Sequence, residues 1–520
     1  MLHVPETSSW SNVAVRARAL CPEAFQGERL LNLIDGAWGH PGSPSRFFSP
    51  NDGTELYALP MIDLATASAA VKSAHKEQSA WGELPYHERR RRVEAVLADL
   101  QQNRELLALT LAWEIGKPMR LAENDVDRCI DGVRWYLDEA EVMSAGRAPL
   151  GLISNIASWN YPMSVQVHAE LVQMLAGNAV IAKTPSQGGF HCLTLAHALM
   201  AREGLPVTLV SGHGSSLGDV LIRGEGIGCL AFVGGRTNGR KAATTLADTG
   251  RRHFLEQEGL NTWGIWGFSQ WDLLAGHVKK GFEYGKQRCT AYPRYVVQRS
   301  LFADFLQAYL PVVGSLKFGH PLAVEHAADP FPELDFGPVI SADKATELRM
   351  NFDEGIRAGG IPLVHRTLHS GRFIDAQDTS AYVAPACVLQ PPTSWSLHHR
   401  EPFGPLDSIV LVDTESEMLA AMNASNGSLV ASIATDDPSL AHRVADELQA
   451  FKIGVNAPRS RGDRDEIFGG KGASWKGAFV GGDLLVQAVT EPSDGSAETL
   501  FGNFPGVVYV PESAGLSTVA

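Results

Sequence analysis

Two side chains of complementary chemistry stand far apart in this sequence. One is a cysteine, Cys289, in the run Y-G-K-Q-R-C-T-A; the other is a carboxylate, Glu256, in F-L-E-Q-E-G-L-N. A thiolate is a strong nucleophile, and a carboxylate can activate a water to hydrolyse whatever the thiolate captures. Such a pair suits the oxidation of an aldehyde through a thioester. Nothing local brings the two together, so the fold must.

Four further runs carry groups that could serve such a reaction. In S-W-N-Y-P (158–162), the amide of Asn160 follows a buried apolar run and could stabilise an oxyanion; it could equally close a turn before proline. In A-V-I-A-K-T-P-S-Q (179–187), Lys183 ends a strand-like run, where a parallel sheet binds ligands; a solvated lysine is the plainer reading. F-V-G-G-R-T-N-G-R (232–240) offers Gly234 and Gly235 ahead of a helix start, which can face a phosphate. It is not the G-x-G-x-x-G fingerprint, and a turn with no ligand fits as well. E-P-F-G-P-L (401–406) sets Glu401 and Phe403 before a rigid turn, suited to a ribose and a planar ring, or to a turn alone.

The elements that must position these groups follow from the patterning. L-N-L-I-D-G-A-W and F-S-P-N-D-G-T-E-L read as hairpin-like strands with D-G turns. From Asp63 to about Val142 apolar residues recur at helical spacing, with Gly116 a C-cap; Arg89 to Arg92 open one helix there and read as a solvated face. Beyond, short apolar runs (P-L-G-L-I-S-N-I, N-A-V-I-A-K, V-T-L-V-S-G, C-L-A-F-V-G-G) alternate with helical ones, predicting a doubly wound parallel α/β sheet. A second series runs from near Phe254 to Ile453, and a short strand, G-V-V-Y-V-P, lies near the end. The length calls for two or three domains. The expected division is 1–255 for a cofactor-binding domain with its lead-in, 256–453 for a catalytic α/β domain carrying the nucleophile, and 454–520 for a return and C-terminal interface.

Composition narrows the class. The chain has 520 residues, 44% hydrophobic and 20% charged, with a formal net charge of −14. That charge speaks against nucleic-acid and anionic-membrane partners. Six scattered cysteines show neither zinc nor disulfide spacing, so a reducing, cytoplasmic setting and no metal are expected. No run reaches the roughly 18 apolar residues of a membrane span, and the N-terminus shows no secretory signal.

In their order, these runs resemble the aldehyde dehydrogenase superfamily over about residues 30 to 495, with I-G-V-N (453–456) and F-G-G-K-G (468–472) resembling two of its late motifs. The resemblance implies Cys289 as nucleophile, Glu256 as general base, and Asn160 with the Cys289 backbone N–H as oxyanion site. It also implies a dinucleotide, NAD or NADP, held by Lys183 at the adenosine ribose, Gly234 and Gly235 at the phosphates, and Glu401 and Phe403 at the nicotinamide end, with Trp159 in the same group. A small aldehyde would be the substrate. Acyl transfer to coenzyme A and a silent nucleotide-binding homologue are the alternatives.

The chain departs from the family in several places. Ser186 stands where a ribose-binding glutamate is usual; a hydroxyl can donate to a 2′-phosphate that a carboxylate would repel, so NADP is expected to be tolerated and even preferred. Glu258 replaces a glycine, Leu260 a lysine, and Gly235 a serine. Lys286 and Arg288 flank the nucleophile, and would either lower the thiol pKa or face solvent or a carboxylate. Residues 142–150 are too few for the family's intersubunit β-arm, leaving a homodimer as the expected assembly. A polar or acidic aldehyde is suggested by Tyr161, His168, Arg288, Thr290 and R-S-R-G-D-R (459–464), with Arg461 at its centre. Residues 366–382 read as an insertion.

Overall fold

A computed structural model describes residues 1–520 apart from 41, 426, 461–463, 499, 501–506 and 510–520. The lead-in is as the D-G turns predict. Strands Asn32–Ile34 and Ala37–Gly39 pair antiparallel, and Asp35 (φ 57°) and Gly36 (φ 66°) both take the left-handed geometry of a type I′ hairpin. Four helices follow, at Leu64–Gly82, Tyr86–Gln102, Arg104–Ile115 and Met119–Met143. Gly116 ends the third at φ 66°, where a side chain would be strained. Of the arginine run, Arg91 and Arg92 bind Glu88 on their own helix, while Arg89 and Arg90 reach the carbonyls of Leu175 and Leu137. That helix face is thus partly used to hold neighbouring helices.

Two eight-stranded sheets form the body. The first has five parallel strands: β1 (Leu152–Ile156), β2 (Ala179–Lys183), β3 (Val207–Val210), β4 (Ile227–Gly234) and β5 (Arg252–Gln257). Its spatial order is Trp475–Gly477, β5, β4, β1, β2, β3, then the N-terminal hairpin. The second is parallel in all but one of its strands: β6 (Thr262–Ile265), β7 (Arg294–Gln298), β8 (Ala386–Leu389), β9 (Leu406–Val412), β10 (Val430–Ala434), β11 (Lys452–Val455) and the edge strand Val507–Tyr509. These run β8, β9, β7, β6, β10, β11, with Ile361–His365 and Val507–Tyr509 at the two edges. All five residues of β2 and all four of β3 and β6 are buried. That explains why their sequences read as continuous apolar runs: both faces are covered, so no alternation is required.

Glu256 lies on β5 and pairs in register with Val233 of β4. The crossing from one sheet to the other therefore falls within 258–261, slightly later than the boundary read from the sequence. The chain returns to the first sheet with Trp475–Gly477, antiparallel to β5. Residues 147–149 form one short strand against Thr490–Pro492, with no hairpin arm in that stretch. Residues 366–382 form a strap: Gln377 and Tyr382 both donate to the carbonyl of Asn51, at 2.6 and 3.0 Å, tying the second α/β unit to the lead-in.

Candidate active site

Parallel strands deliver their carboxyl ends to one edge of a sheet, and here that edge collects the expected groups. Asn160 follows β1, Lys183 ends β2, Gly234 and Gly235 follow β4, and Glu256 sits near the end of β5. The chain runs from β1 outward to β2 and β3 on one side, then to β4 and β5 on the other. The switch point lies between β1 and β4, where such sheets open a crevice. The second sheet offers its opposite edge: Cys289 precedes β7, and Glu401 and Phe403 precede β9. Carboxyl ends of one sheet and amino ends of the other thus bound one cleft.

Hydrogen bonds fix the loop that carries Cys289 from both sides. The Asn160 amide donates to the Gln287 carbonyl at 3.0 Å. The Asn261 amide donates to the carbonyls of Cys289 and Ala291, both at 2.8 Å, while its oxygen accepts from the N–H groups of Leu429 and Val430 at 3.2 Å. Gln287 spans the loop's base, donating to Tyr284 and Pro338 carbonyls and accepting from the Ile340 N–H. Asn261 and Gln287 were not singled out from the sequence. Asn261 carries no local signal for this: it stands just before β6, and the N–H groups it satisfies belong to Leu429 and Val430, far along the chain.

Cys289 is the one partly exposed cysteine; the other five are buried. Burial pushes the thiols of Cys21 and Cys229 up to about 12 and raises those of Cys129, Cys192 and Cys387. Those five are therefore inert, and accessibility singles out Cys289.

The cations beside Cys289 in sequence bind elsewhere. Lys286 is buried, with its ammonium 2.5 Å from Asp407, 2.9 Å from the Tyr292 carbonyl and over the Phe282 ring. Asp407 also accepts from the Tyr309 hydroxyl at 2.9 Å. Burial draws the lysine pKa down and the aspartate pKa up, each opposed by the other's charge. Tyr284, Gly285 and Lys286 all have φ near 60°, and this left-handed turn directs the Lys286 side chain into the protein. Arg288 donates to the carbonyls of Lys280 and Gly281 at the end of the helix Trp271–Gly281, a favourable place for a cation. Of the two readings of Lys286, the carboxylate partner is the one observed.

On the other flank, Lys117 and Asp125 form a fully buried pair at 2.8 Å. Asp125 also accepts from the Ser164 N–H, fastening the turn after Asn160, and the Lys117 ammonium lies 3.8 Å over the Tyr161 ring. Burial raises the Tyr161 hydroxyl to about 12. His168 packs on Gly132, where a Cβ would meet its ring at 2.6 Å, so it contributes to helix packing. Arg459 and Lys452 both bind Glu466; Arg461 lies outside the described residues.

The remaining expected residues have the following surroundings. Lys183 is buried, donates to its neighbour Thr184's carbonyl at 2.9 Å, and burial lowers its pKa to about 8. Ser186 is exposed just beyond it. Trp159 meets Phe403 edge-on at 5.8 Å. Glu401 is nine-tenths buried, and burial, then the charge of Glu258, raise its pKa.

Comparison with known proteins agrees with this geometry. The aldehyde dehydrogenase family model matches residues 39–492. The chain is 27% identical over 487 residues to an NADP-dependent glyceraldehyde-3-phosphate dehydrogenase of Streptococcus equinus, covering 89% of this chain and 97% of that one. It is 24% identical to an alpha-ketoglutaric semialdehyde dehydrogenase of Bacillus subtilis, covering 85% and 92%. Among solved structures, an NADP-dependent glyceraldehyde-3-phosphate dehydrogenase from Bacillus halodurans in complex with NADP superposes with a TM-score of 0.80 at 25% identity, over 90% of this chain and 98% of that one. The match across nearly the whole chain, on the same fold, makes this protein an oxidoreductase belonging to the aldehyde dehydrogenase family.

Proposed function

We propose that this enzyme oxidises an aldehyde to a carboxylic acid with NAD(P), through a covalent intermediate on Cys289. The observation that carries the reading is the convergence of two amides, Asn160 and Asn261, on the backbone carbonyls at and beside Cys289. The first unit would hold the cofactor and the second the nucleophile, with the C-terminal segment as interface of a homodimer.

The crevice fits a dinucleotide. Neither carboxylate oxygen of Glu401 has a donor in ordinary hydrogen-bond geometry among the described residues, which suits a ribose diol. Gly235 leaves the helix α1 (Arg236–Leu246) open at its amino end for a phosphate. Lys183 would reach the adenosine ribose, Ser186 a 2′-phosphate, and Trp159 and Phe403 would border the ring. NAD(P), when bound, accepts the hydride.

Within this frame the chain's own groups act in order. The Cys289 thiolate attacks the aldehyde carbon, and the Asn160 amide with the Cys289 N–H stabilises the oxyanion as it forms. After hydride loss, Cys289 is left as a thioester. Glu256, 1% exposed at the end of β5, takes a proton from water as it attacks the thioester, releasing the acid and the thiolate. Retention of this carboxylate favours water over coenzyme A as acceptor. The relatives named above act on anionic aldehydes by their names, which supports a polar, acidic substrate. NAD(P)H formation from an aldehyde panel, with and without coenzyme A, tests the reading in wild type and Cys289→Ala. Activity without coenzyme A that Cys289→Ala abolishes is expected. Dependence on coenzyme A would overturn the hydrolytic reading, and a preference of more than about a hundredfold in kcat/KM for NAD would overturn the role given to Ser186.

A further inference from the structure

Glu258 is a carboxylate in a place where its charge has consequences. It lies in the crossing between β5 and β6, and that crossing is clamped. A Cβ on Gly259 would meet Ser474 Oγ at 2.2 Å and the backbone of Ser428 at 2.8 Å, while Ser474 donates to the Glu258 carbonyl at 3.2 Å. The backbone therefore cannot swing away, and the half-buried Glu258 side chain projects toward the amino end of α1. Its Oε2 is the nearest atom to a Cβ built on Gly235, the residue that caps that helix, at 3.8 Å.

Two further side chains face the same space. Glu401 is nine-tenths buried with neither oxygen satisfied by an ordinary hydrogen bond, the Gly259 N–H giving only partial relief; Glu258 acts on it as a like charge. Arg236, the first residue of α1, has buried Nε and Nη2 atoms without a partner among the described residues, and its charge acts on Glu401 together with that of Lys344. No Lys or Arg among the described residues forms an ion pair with Glu258. Helix amino ends favour anions and here one is built in.

We propose that Glu258 sets the affinity of the dinucleotide site: its carboxylate stands at the amino end of α1 in the place of a phosphate, so that a bound diphosphate works against a built-in negative charge. The proposal rests on the cofactor reading above. Glu258 faces the helix end without a capping hydrogen bond; a bound diphosphate displaces its side chain toward solvent, away from the like charge of Glu401, and part of the binding free energy is spent on that displacement. A looser hold also speeds departure of the reduced dinucleotide, a step that often limits turnover.

The test is equilibrium binding without aldehyde, followed by calorimetry and by quenching of tryptophan fluorescence, on wild type, Glu258→Gln and Glu258→Gly. The ligands are NAD, NADP, NADPH and adenosine 2′-monophosphate, which has no phosphate at the 5′ position. Both variants should bind NADP and NADPH about tenfold more tightly, as removal of one partly solvated like charge implies, with binding of the monophosphate unchanged. A change of less than about twofold for NADP in both variants, weaker binding in both, or equal tightening for the monophosphate would overturn the proposal. Absence of NADP and NAD binding by the wild type would overturn the cofactor reading itself, and is distinct from all three.

Discussion

Replacing Asn261 by alanine removes four hydrogen bonds from a fully buried side chain: two to the Cys289 and Ala291 carbonyls and two from the Leu429 and Val430 N–H groups. A buried polar group left without a partner costs about 1–3 kcal/mol. At the low end of that range, four such groups amount to about 4 kcal/mol of stability. The catalytic consequence is separate. The amide links Cys289 to the start of β10, so its loss frees the nucleophile loop on one side, leaving Asn160 on the other. A displacement of about 1 Å in a reacting group lowers kcat/KM roughly a hundredfold. Urea unfolding should show a lower midpoint with unchanged slope, and kcat/KM, measured where the variant remains folded, should fall by that factor. The rate of Cys289 alkylation by iodoacetamide reads loop position without cofactor or aldehyde and should change as well. A variant of reduced stability with kcat/KM and alkylation within about threefold of wild type would refute the positioning role.

Three other outcomes follow from the same geometry. Lys286→Met strands Asp407 in the interior and should lose about 3–5 kcal/mol in urea unfolding; adding Asp407→Asn should restore much of it, and failure of the double variant to recover would contradict the pairing. Glu256→Gln should retain a first-turnover burst of NAD(P)H and then turn over at least about a hundredfold more slowly, as stopped-flow absorbance would show. Lys183 is cationic below its lowered pKa of about 8 and neutral above it, so dinucleotide Kd should rise as pH climbs from 7 to 9, and the rise should vanish in Lys183→Met.

Much of the cleft was legible because its groups sit at the ends of strands whose apolar runs announce themselves. Asn160 follows such a run, Lys183 closes one, Gly234 and Gly235 end another, and one topological rule gathers these strand ends at a single edge; Glu256, on a strand that reads R-H-F-L-E-Q, stands out by its chemistry alone. The D-G turn at Asp35 was equally plain, since only a left-handed pair there joins strands so closely. What could not be read was direction and distant pairing. Lys286 and Arg288 stand beside Cys289 in sequence, yet three successive left-handed residues send the Lys286 side chain to Asp407 on β9. Asn261 looked like an ordinary residue after a motif; its role depends on Leu429 and Val430, which nothing local to it predicts. Glu258 was recognisable only as a departure, and its nearness to Gly235 emerges from the clamp that Ser474 and Ser428 place on Gly259.

The central claim is that the acyl group is carried by Cys289. It is tested most directly by mass spectrometry of proteolysed Glu256→Gln, quenched after incubation with NADP and an aldehyde that the wild type oxidises. The account predicts the acyl mass on the peptide bearing Cys289, lost in the Cys289→Ala, Glu256→Gln double variant. NADPH formation with that peptide unmodified, or with the mass on another cysteine, would contradict it.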